Sequence, residues 1–232
     1  MEIKDAIIEK FLYNHKLSFS DIWDKSVPSN KFNYHLQKLV SDGLLIRIEE
    51  FYMLTDQGKR YVSTLDGSEV VVKPKPLSCV FVVAKDSDGR ILFHQRKRQP
   101  FLDMYGIPGG KIEYGTLIHE EAAKEFFEET GLTADLELKV VANYLTKNEG
   151  SLDVSHHMIG FFYLAKNCKG DLVEENDECR NFYAELSELE EGLVFPDLPV
   201  VIPKILTSNS LEFIQLERIV KNGRFTSVSL LG

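Results

Sequence analysis

The sequence predicts an α+β protein of two domains, a small helix-rich domain followed by a larger domain dominated by strands. Apolar residues recur at helical spacing through residues 3–41. From residue 77 onward, apolar runs alternate with turn signals, which is typical of strands. Between them, the stretch "DGSEVVVKPKP" at 66–76 favours an extended linker, because its prolines exclude a helix. We therefore expect one domain at 1–65 and a second from residue 77.

The composition excludes several classes of protein. The chain has 232 residues, 44% of them hydrophobic, and a formal net charge of −9. That charge argues against a protein that is basic all over, but it leaves room for a local basic face. The apolar runs are too short to span a bilayer, and the charged N-terminus is not a signal peptide. Cys79, Cys168 and Cys179 lack CxxC spacing, so we expect free thiols in a cytoplasmic protein.

The first domain reads as three helices followed by a β-ribbon. An amphipathic helix begins near Ile3, and Ser20 and Ser29 are expected to N-cap the second and third helices. The third helix should stop at Gly43, a typical C-terminal glycine. The following run "LLIRIEEFYMLT" predicts two short strands around a turn at Glu49–Glu50.

The stretch "FNYHLQKLVSDGLLIRIEEFYMLTDQGKRYV" resembles the third helix and wing of the winged helix-turn-helix transcription regulators. The resemblance implies double-stranded DNA as a partner and a homodimer that reads a two-fold site. No acidic residue occurs from Lys25 to Ser41. The polar side of the third helix supplies the DNA-binding candidates, which are Asn30, Lys31, Asn33, Tyr34, His35 and Lys38. The alternative is a solvated face on a module used for dimerisation or protein contacts, which the balance of nine basic and nine acidic residues in 1–63 favours.

The second domain contains a glycine-punctuated loop that leads into an acidic helix. Two strands are expected around "DSDG" as a hairpin, and Thr116 is expected to N-cap the helix that Gly131 ends. Its buried side is expected to contain Leu117, Ala123, Phe126 and Phe127. Two more strands and two short helices should follow, and the tail reads as a hairpin turning at Asn222–Gly223.

The acidic helix carries Glu121, Glu125, Glu128 and Glu129 near one face. Like charges at i,i+4 destabilise a helix by roughly 0.2–0.5 kcal/mol per pair, and a divalent cation would remove that repulsion. Carboxylate oxygens are the ligands that Mg²⁺ and Mn²⁺ prefer. The alternative is a solvated acidic face. Because the cluster directly follows a glycine-rich turn, the pattern favours a ligand site.

The stretch "GKIEYGTLIHEEAAKEFFEETGL" resembles the Nudix box, G-x5-E-x7-R-E-U-x-E-E-x-G-U, in which U is a bulky aliphatic residue. The positions that match are Gly110, Glu125, Glu128, Glu129, Gly131 and Leu132, with Phe126 in the first bulky position. The resemblance implies an α/β/α sandwich with a mixed sheet at 77–207, followed by a C-terminal β-hairpin extension at 208–232.

Two positions depart from the box: Thr116 replaces its first glutamate, and Lys124 replaces its arginine. In the family, that arginine orients the neighbouring glutamates and the first glutamate supports the loop–helix geometry. Lysine keeps the charge but lacks the planar fork of arginine. Restoring glutamate and arginine at these positions is therefore expected to raise turnover.

The resemblance implies hydrolysis of a diphosphate linkage in a nucleoside diphosphate joined to a second group, such as ADP-ribose or a nucleotide sugar. It implies Mg²⁺ or Mn²⁺ as cofactor, held by Glu125, Glu128, Glu129 and the backbone carbonyl of Gly109. Glu125 and Glu128 are catalytic candidates. The segment "EENDECRNFYAELSEL" adds Glu178 as a candidate general base, with Glu175 as second choice. The candidates for binding substrate phosphate are Arg96 and Lys124.

Two functions remain open from the sequence. The first is an active hydrolase joined to a DNA-binding domain, which the three retained glutamates favour. The second is a transcription regulator whose Nudix domain senses a ligand with little or no catalysis. The N-terminal domain and the departures at Thr116 and Lys124 favour this alternative.

Overall fold

A computed structural model describes residues 2–65, 74–99, 101–190 and 192–231. The chain divides into two compact units, Met1–Pro74 and Lys75–Gly232. Most of the linker expected at 66–76 falls on residues 66–73, which lie outside the described residues.

Over residues 2–65, the N-terminal unit contains four helices and a small antiparallel sheet with the strand order β1-β3-β2. Its elements in chain order are α1 (Ile3–Leu12), β1 (Leu17–Ser18), α2 (Phe19–Ile22), α3 (Ser29–Ser41), β2 (Leu45–Ile48), β3 (Phe51–Leu54) and α4 (Asp56–Ser63). The helices and the β2–β3 ribbon follow the expected order. Strand β1 was not predicted, because two residues are too few to give a periodic pattern.

The helix caps of this unit differ from the sequence prediction. The N-cap of α2 is Ser18, which forms a capping box with Asp21, so the assignment to Ser20 was wrong. Ser29 is the first residue of α3 rather than its cap. Gly43 lies directly beyond the helix C-cap at φ +75°, a left-handed conformation that glycine adopts without strain.

One hydrophobic core holds the N-terminal unit together. Its buried side chains come from α1, α2, α3, both ribbon strands and the residue that follows the C-cap of α4, and they are Ile7, Ile8, Phe11, Ile22, Phe32, Leu36, Leu39, Leu45, Tyr52 and Leu65. Each fully buried aliphatic or aromatic side chain contributes about 1.5–3 kcal/mol to stability. The opposite side of α3 stays exposed, and it carries the polar residues discussed below.

The C-terminal unit is built on a six-stranded sheet with the order β12-β11-β8-β9-β4-β7. Its elements are β4 (Leu77–Val83), β5 (Ile91–Arg96), β6 (Tyr105–Gly106), β7 (Gly109–Lys111), α5 (Ile118–Thr130), β8 (Thr133–Asn148), β9 (Val154–Lys169), β10 (Cys179–Ala184), a 3₁₀ turn (Leu186–Glu188), α6 (Leu198–Thr207), β11 (Glu212–Lys221) and β12 (Arg224–Leu230). The expected mixed sheet is confirmed, since β4–β9 and β8–β11 are parallel and the other pairs are antiparallel. A second, antiparallel sheet has the order β10-β5-β6.

The two faces of the large sheet each bury one helix. Successive side chains of β4 point to opposite faces, so Val80 and Val82 pack in a cluster with Phe126 of α5. Val83 packs in a different cluster with Ile205 of α6. The result is a three-layered helix–sheet–helix unit, with the acidic helix α5 covering the sheet next to β4 and β7.

Two predicted turns are present, but the strands beside them pair in ways that the sequence did not predict. The turn at "DSDG" starts a hairpin with a bridge between Lys85 and Ile91, but β4 and β5 then enter different sheets. The tail hairpin does turn at Asn222 and Gly223, both at positive φ. Its strand β11 pairs in parallel with β8, so the hairpin completes the large sheet.

The three cysteines are free thiols, and Cys79 and Cys179 are buried. Burial raises the pKa of both thiols to about 11, which keeps them in the unreactive thiol form at neutral pH. Within the described part of the chain, no helix is long and apolar enough to cross a membrane.

Candidate functional site

The site lies where β7 and the following loop meet the start of α5. The N-cap of α5 is Leu117, so the assignment to Thr116 was wrong. The Thr116 hydroxyl instead donates to the carbonyl oxygen of Glu113 at 2.7 Å. Gly131 ends the helix at φ +74°, as expected, and its N–H donates to the carbonyl oxygen of Phe127.

The buried side of α5 also differs from the prediction. Leu117 is 67% exposed and Phe127 is 54% exposed, and Ala123 is exposed too. The residues that α5 buries are Glu121, Ala122, Phe126 and Thr130. The helix is therefore rotated relative to the predicted apolar stripe, because it buries a glutamate that the hydrophobic pattern could not assign to the core.

Two glycines of β7 bring its backbone against two of the three box glutamates. A β-carbon at Gly110 would lie 2.3 Å from Oε2 of Glu125, so only glycine permits this approach. The N–H of Gly109 donates to Oε2 of Glu129 at 2.8 Å. Gly109 is itself confined, because a β-carbon there would lie 2.1 Å from the carbonyl oxygen of Val80.

Glu125 lies in a crowded acidic environment. Burial, followed by the charges of Glu129, Glu121 and Glu128, raises the pKa of the half-buried Glu125 to about 7. Glu128 is exposed. Within residues 2–65, 74–99, 101–190 and 192–231, no three His, Cys, Asp or Glu side chains already converge as metal ligands. Hard carboxylate oxygens and charge crowding nevertheless fit a divalent cation, which would relieve the repulsion around Glu125.

Three residues that the sequence did not single out surround Glu129. Nδ1 of the buried His94 lies 3.5 Å from Oε2 of Glu129 and makes no hydrogen bond. The side-chain amides of Asn176 and Asn181 donate to the Glu129 carbonyl oxygen at 3.2 and 2.7 Å. Asn181 and His94 are partners across β10 and β5. Only tertiary pairing brings them to α5, so no local sequence signal identified them.

The two candidate bases of the later segment are paired with basic side chains. Oε1 of Glu178 lies 2.5 Å from Nη1 of Arg98, and Oε1 of Glu175 lies 2.9 Å from Nζ of Lys97. The Lys97 ammonium also lowers the pKa of Glu175. Arg96 is the last residue of β5 and lies opposite Cys179 of β10. A role for Glu178 as a base requires its ion pair with Arg98 to open.

Lys124, a candidate phosphate ligand, lies between two carboxylates. Its Nζ is 3.1 Å from Oε1 of Glu121 and 3.2 Å from Oε1 of Glu113. These two partners raise the pKa of Lys124. The structure therefore uses this side chain to join the helix to the preceding loop.

In the N-terminal unit, the DNA-binding candidates share the side of α3 that faces away from the core. Asn30, Lys31, Asn33, Tyr34 and Lys38 are exposed, and His35 is half-buried. The Lys38 ammonium pairs with Asp42 at 2.8 Å, which offsets part of the positive charge of this surface.

Comparison with known proteins identifies the family that the C-terminal unit matches. A sequence profile of the NUDIX domain matches residues 75–204. An ADP-ribose pyrophosphatase of Methanocaldococcus jannaschii is 28% identical over 104 residues, which cover 45% of this chain and 59% of that protein. An uncharacterized Nudix hydrolase of Bacillus subtilis, YvcI, is 28% identical over 105 residues, which cover 45% of this chain and 63% of that protein. The chain thus spans about three-fifths of the length of these curated relatives.

Among solved structures, the mutator MutT protein of Bacillus halodurans matches with a TM-score of 0.53 and 22% identity. The match covers 66% of this chain and 97% of that protein. At this identity, the likeness shows the fold.

Proposed function

The chain belongs to the Nudix family, and from that premise we propose that its C-terminal unit is a metal-dependent pyrophosphohydrolase. Its substrate is a nucleoside diphosphate joined to a second group, with ADP-ribose or a nucleotide sugar as the class. The observation that carries the proposal is the contact of the Gly110 backbone with the crowded carboxylate of Glu125. The name of the M. jannaschii relative, an ADP-ribose pyrophosphatase, supports the choice of substrate class.

The residues that would hold Mg²⁺ or Mn²⁺ are Glu125, Glu128 and Glu129, with the carbonyl of Gly109 as a further oxygen ligand. A divalent ion bound there supplies charge neutralisation for phosphate oxygens and an acidic water. The raised pKa of Glu125 supports this ligand set, because a carboxyl group crowded by three other glutamates gains most from a nearby cation.

The protein's own side chains orient the substrate and move protons. The Gly109 N–H fixes one oxygen of Glu129, which leaves the other oxygen of that carboxylate for the ligand. Glu125 and Glu128 are the candidates on α5 for accepting a proton from the attacking water. Glu178 can serve as base only when its ion pair with Arg98 breaks. A substrate phosphate would compete with Glu178 for the Arg98 guanidinium and so release the carboxylate.

The test is turnover of a panel of ADP-ribose, NAD, diadenosine polyphosphates and nucleotide sugars with Mg²⁺ or Mn²⁺. We expect hydrolysis that depends on the metal and falls by about 10²-fold or more in Glu125→Gln. Glu120→Gln is the matched control, because Glu120 lies exposed on the same helix. Absence of turnover on every substrate, or a Glu125→Gln variant as active as wild type, would refute the proposal.

A second function is supported by the exposed polar side of α3 and by the likeness of this unit's sequence to winged-helix regulators. We propose that the N-terminal unit binds double-stranded DNA as a homodimer. In this function, the C-terminal unit senses a ligand that regulates DNA binding. A gel-shift on DNA flanking its own gene at low salt tests this, since phosphate contacts are strongest there. Lys31→Ala should weaken binding, whereas Lys59→Ala on α4 serves as the control. No shift at low salt would contradict it.

A further inference from the structure

Glu121 is fully buried in the first half of α5, yet its carboxylate is well supplied with hydrogen-bond donors. The backbone N–H of Glu113 donates to Oε2 at 3.3 Å, and Nζ of Lys124 lies 3.1 Å from Oε1. The Thr116 side chain, the Lys124 ammonium and the backbone N–H of Glu113 lower the pKa of Glu121. Burying a carboxylate costs several kcal/mol unless donors of this kind compensate it.

Two of these three partners are the positions at which the sequence departs from the Nudix box. Thr116 replaces the first glutamate of the box and Lys124 replaces its arginine. Lys124 pairs with the Glu121 carboxylate, and the Thr116 side chain lowers the pKa of that carboxylate. Residue 124 therefore still has acidic partners, although position 116 no longer supplies one. Glu121 on the helix is the buried partner, and Glu113 in the loop is the exposed one.

The same network fixes the loop that follows β7. Glu113 bonds to Glu121 through its backbone N–H, and its side chain reaches Nζ of Lys124 at 3.2 Å. The carbonyl of Glu113 accepts from Thr116. Gly110, in β7 directly before this loop, contacts the carboxylate of Glu125, which follows Lys124 on α5. The position of the loop therefore also determines the position of Glu125.

We propose that Glu121 is a positioning residue of the metal site, which holds the end of β7 and the loop after it (residues 110–116) against α5 in place of a glutamate at 116 and so keeps Glu125 beside the glycine backbone. The proposal rests on the proposed function only for the identity of the site as a metal site. Glu121 itself makes no contact with metal or substrate in this role.

The experiment measures Mn²⁺ binding to the full-length chain by calorimetry without substrate, and then kcat and KM. We expect Glu121→Gln, which keeps the shape but loses the charge, to weaken Mn²⁺ binding by about tenfold or more. kcat should fall while KM changes little, because α5 sets the geometry of the reacting centre. The exposed neighbour in Glu120→Gln should leave Kd and kcat unchanged within twofold.

A relocation variant tests whether position 121 has taken over from position 116. Glu121→Ala should bind Mn²⁺ weakly, whereas Thr116→Glu combined with Glu121→Ala and Lys124→Arg should recover most of the affinity, because the carboxylate and its cationic partner are both present again. A triple variant as weak as Glu121→Ala overturns the relocation. If the alanine variant does not fold, the comparison of Glu121→Gln with Glu120→Gln decides the positioning role.

The outcomes separate this inference from the hydrolase proposal. A Glu121→Gln variant with a lower Tm but wild-type Kd for Mn²⁺ makes Glu121 a purely structural residue and overturns the inference. Loss of Mn²⁺ affinity in Glu121→Gln, in a chain that hydrolyses no substrate, retains the positioning role and refutes the hydrolase. Absence of Mn²⁺ binding by the wild-type chain overturns the positioning role at a metal site.

Discussion

Gly110 and Glu125 are in such close contact that a β-carbon on the glycine would lie 2.3 Å from one carboxylate oxygen and 2.5 Å from the other. No real β-carbon approaches other atoms so closely, so the glycine is required by the contact rather than by its φ angle. The contact joins β7 to Glu125, a carboxyl group whose pKa is raised to about 7.

The first prediction concerns Gly110→Ala. The added methyl group must displace the Glu125 side chain, so we expect Mn²⁺ affinity and turnover to fall by at least about tenfold. Isothermal calorimetry and steady-state kinetics measure these two quantities. Gly89→Ala is the control, because nothing lies within 4 Å of a β-carbon there and only the strain of its φ of +84° is added. Equal metal affinity in the two variants would contradict the steric argument.

The second prediction concerns the pH dependence of stability in the metal-free chain. The pKa of Glu125 is raised from 4.5 to about 7, so the folded state binds this proton more tightly than the unfolded state. The resulting stability is present below pH 4.5 and is lost as the pH rises through 7. This proton contributes roughly 1–2 kcal/mol to the free energy of unfolding. The contribution is smaller than the full pKa shift implies, because water partly screens the half-buried side chain.

Glu125→Gln removes this titration, so its thermal unfolding in EDTA should occur at a higher Tm than that of wild type at pH 8. The two curves should converge near pH 5, where the wild-type carboxyl is protonated. Glu120→Gln should show no such pH-dependent difference. If the Tm of Glu125→Gln exceeded that of wild type by the same amount at pH 5 and pH 8, charge crowding would not be the cause of the difference.

The local chemistry of the site was predictable from the sequence, whereas its buried network was not. The spacing of Glu125, Glu128 and Glu129 after two glycines indicated a carboxylate cluster next to a close backbone approach, and the structure contains that approach. The burial of Glu121 was not predictable, because hydrophobic periodicity assigns a glutamate to the solvent side. Its donors lie in the preceding loop and at Lys124, and their convergence depends on how the loop folds back onto the helix.

Elements with strong local patterns were also predictable, and those defined by distant pairing were not. Long strands such as β8 and β9 and the turn at Asn222–Gly223 follow from composition and turn chemistry. The parallel pairing of β11 with β8 joins segments about 70 residues apart, and no local pattern specifies it. The division of β4 and β5 between two sheets has the same origin.

The third prediction revises the expected effect of restoring the box at position 116. With Glu121 and Glu113 already paired with Lys124, Thr116→Glu brings a third carboxylate to its single ammonium, next to a buried charge. We therefore expect Thr116→Glu alone to lower Tm and to leave turnover unchanged or lower. Lys124→Arg should be tolerated better, because it keeps the cation. Differential scanning fluorimetry and kcat/KM provide the measurements. A rise in kcat/KM for Thr116→Glu would contradict this prediction and support the expectation from the Nudix box that a glutamate at position 116 raises turnover.

The fourth prediction concerns the buried ion pair that attaches the tail hairpin to α6. Nη2 of Arg218 in β11 lies 2.9 Å from Oδ1 of Asp197, and the Tyr144 hydroxyl donates to Oδ2 of the same carboxylate at 3.2 Å. The guanidinium also lies 4.0 Å from the centre of the Tyr144 ring. Arg218→Met leaves the Asp197 charge buried without its cation, so we expect a loss of about 3–5 kcal/mol in the free energy of unfolding.

Asp197→Asn combined with Arg218→Met removes the unpaired buried charge and should recover part of that loss in urea titrations. Exposed Arg224→Met is the matched control, and a loss as large in this control would show that the ion pair is not the source of the effect.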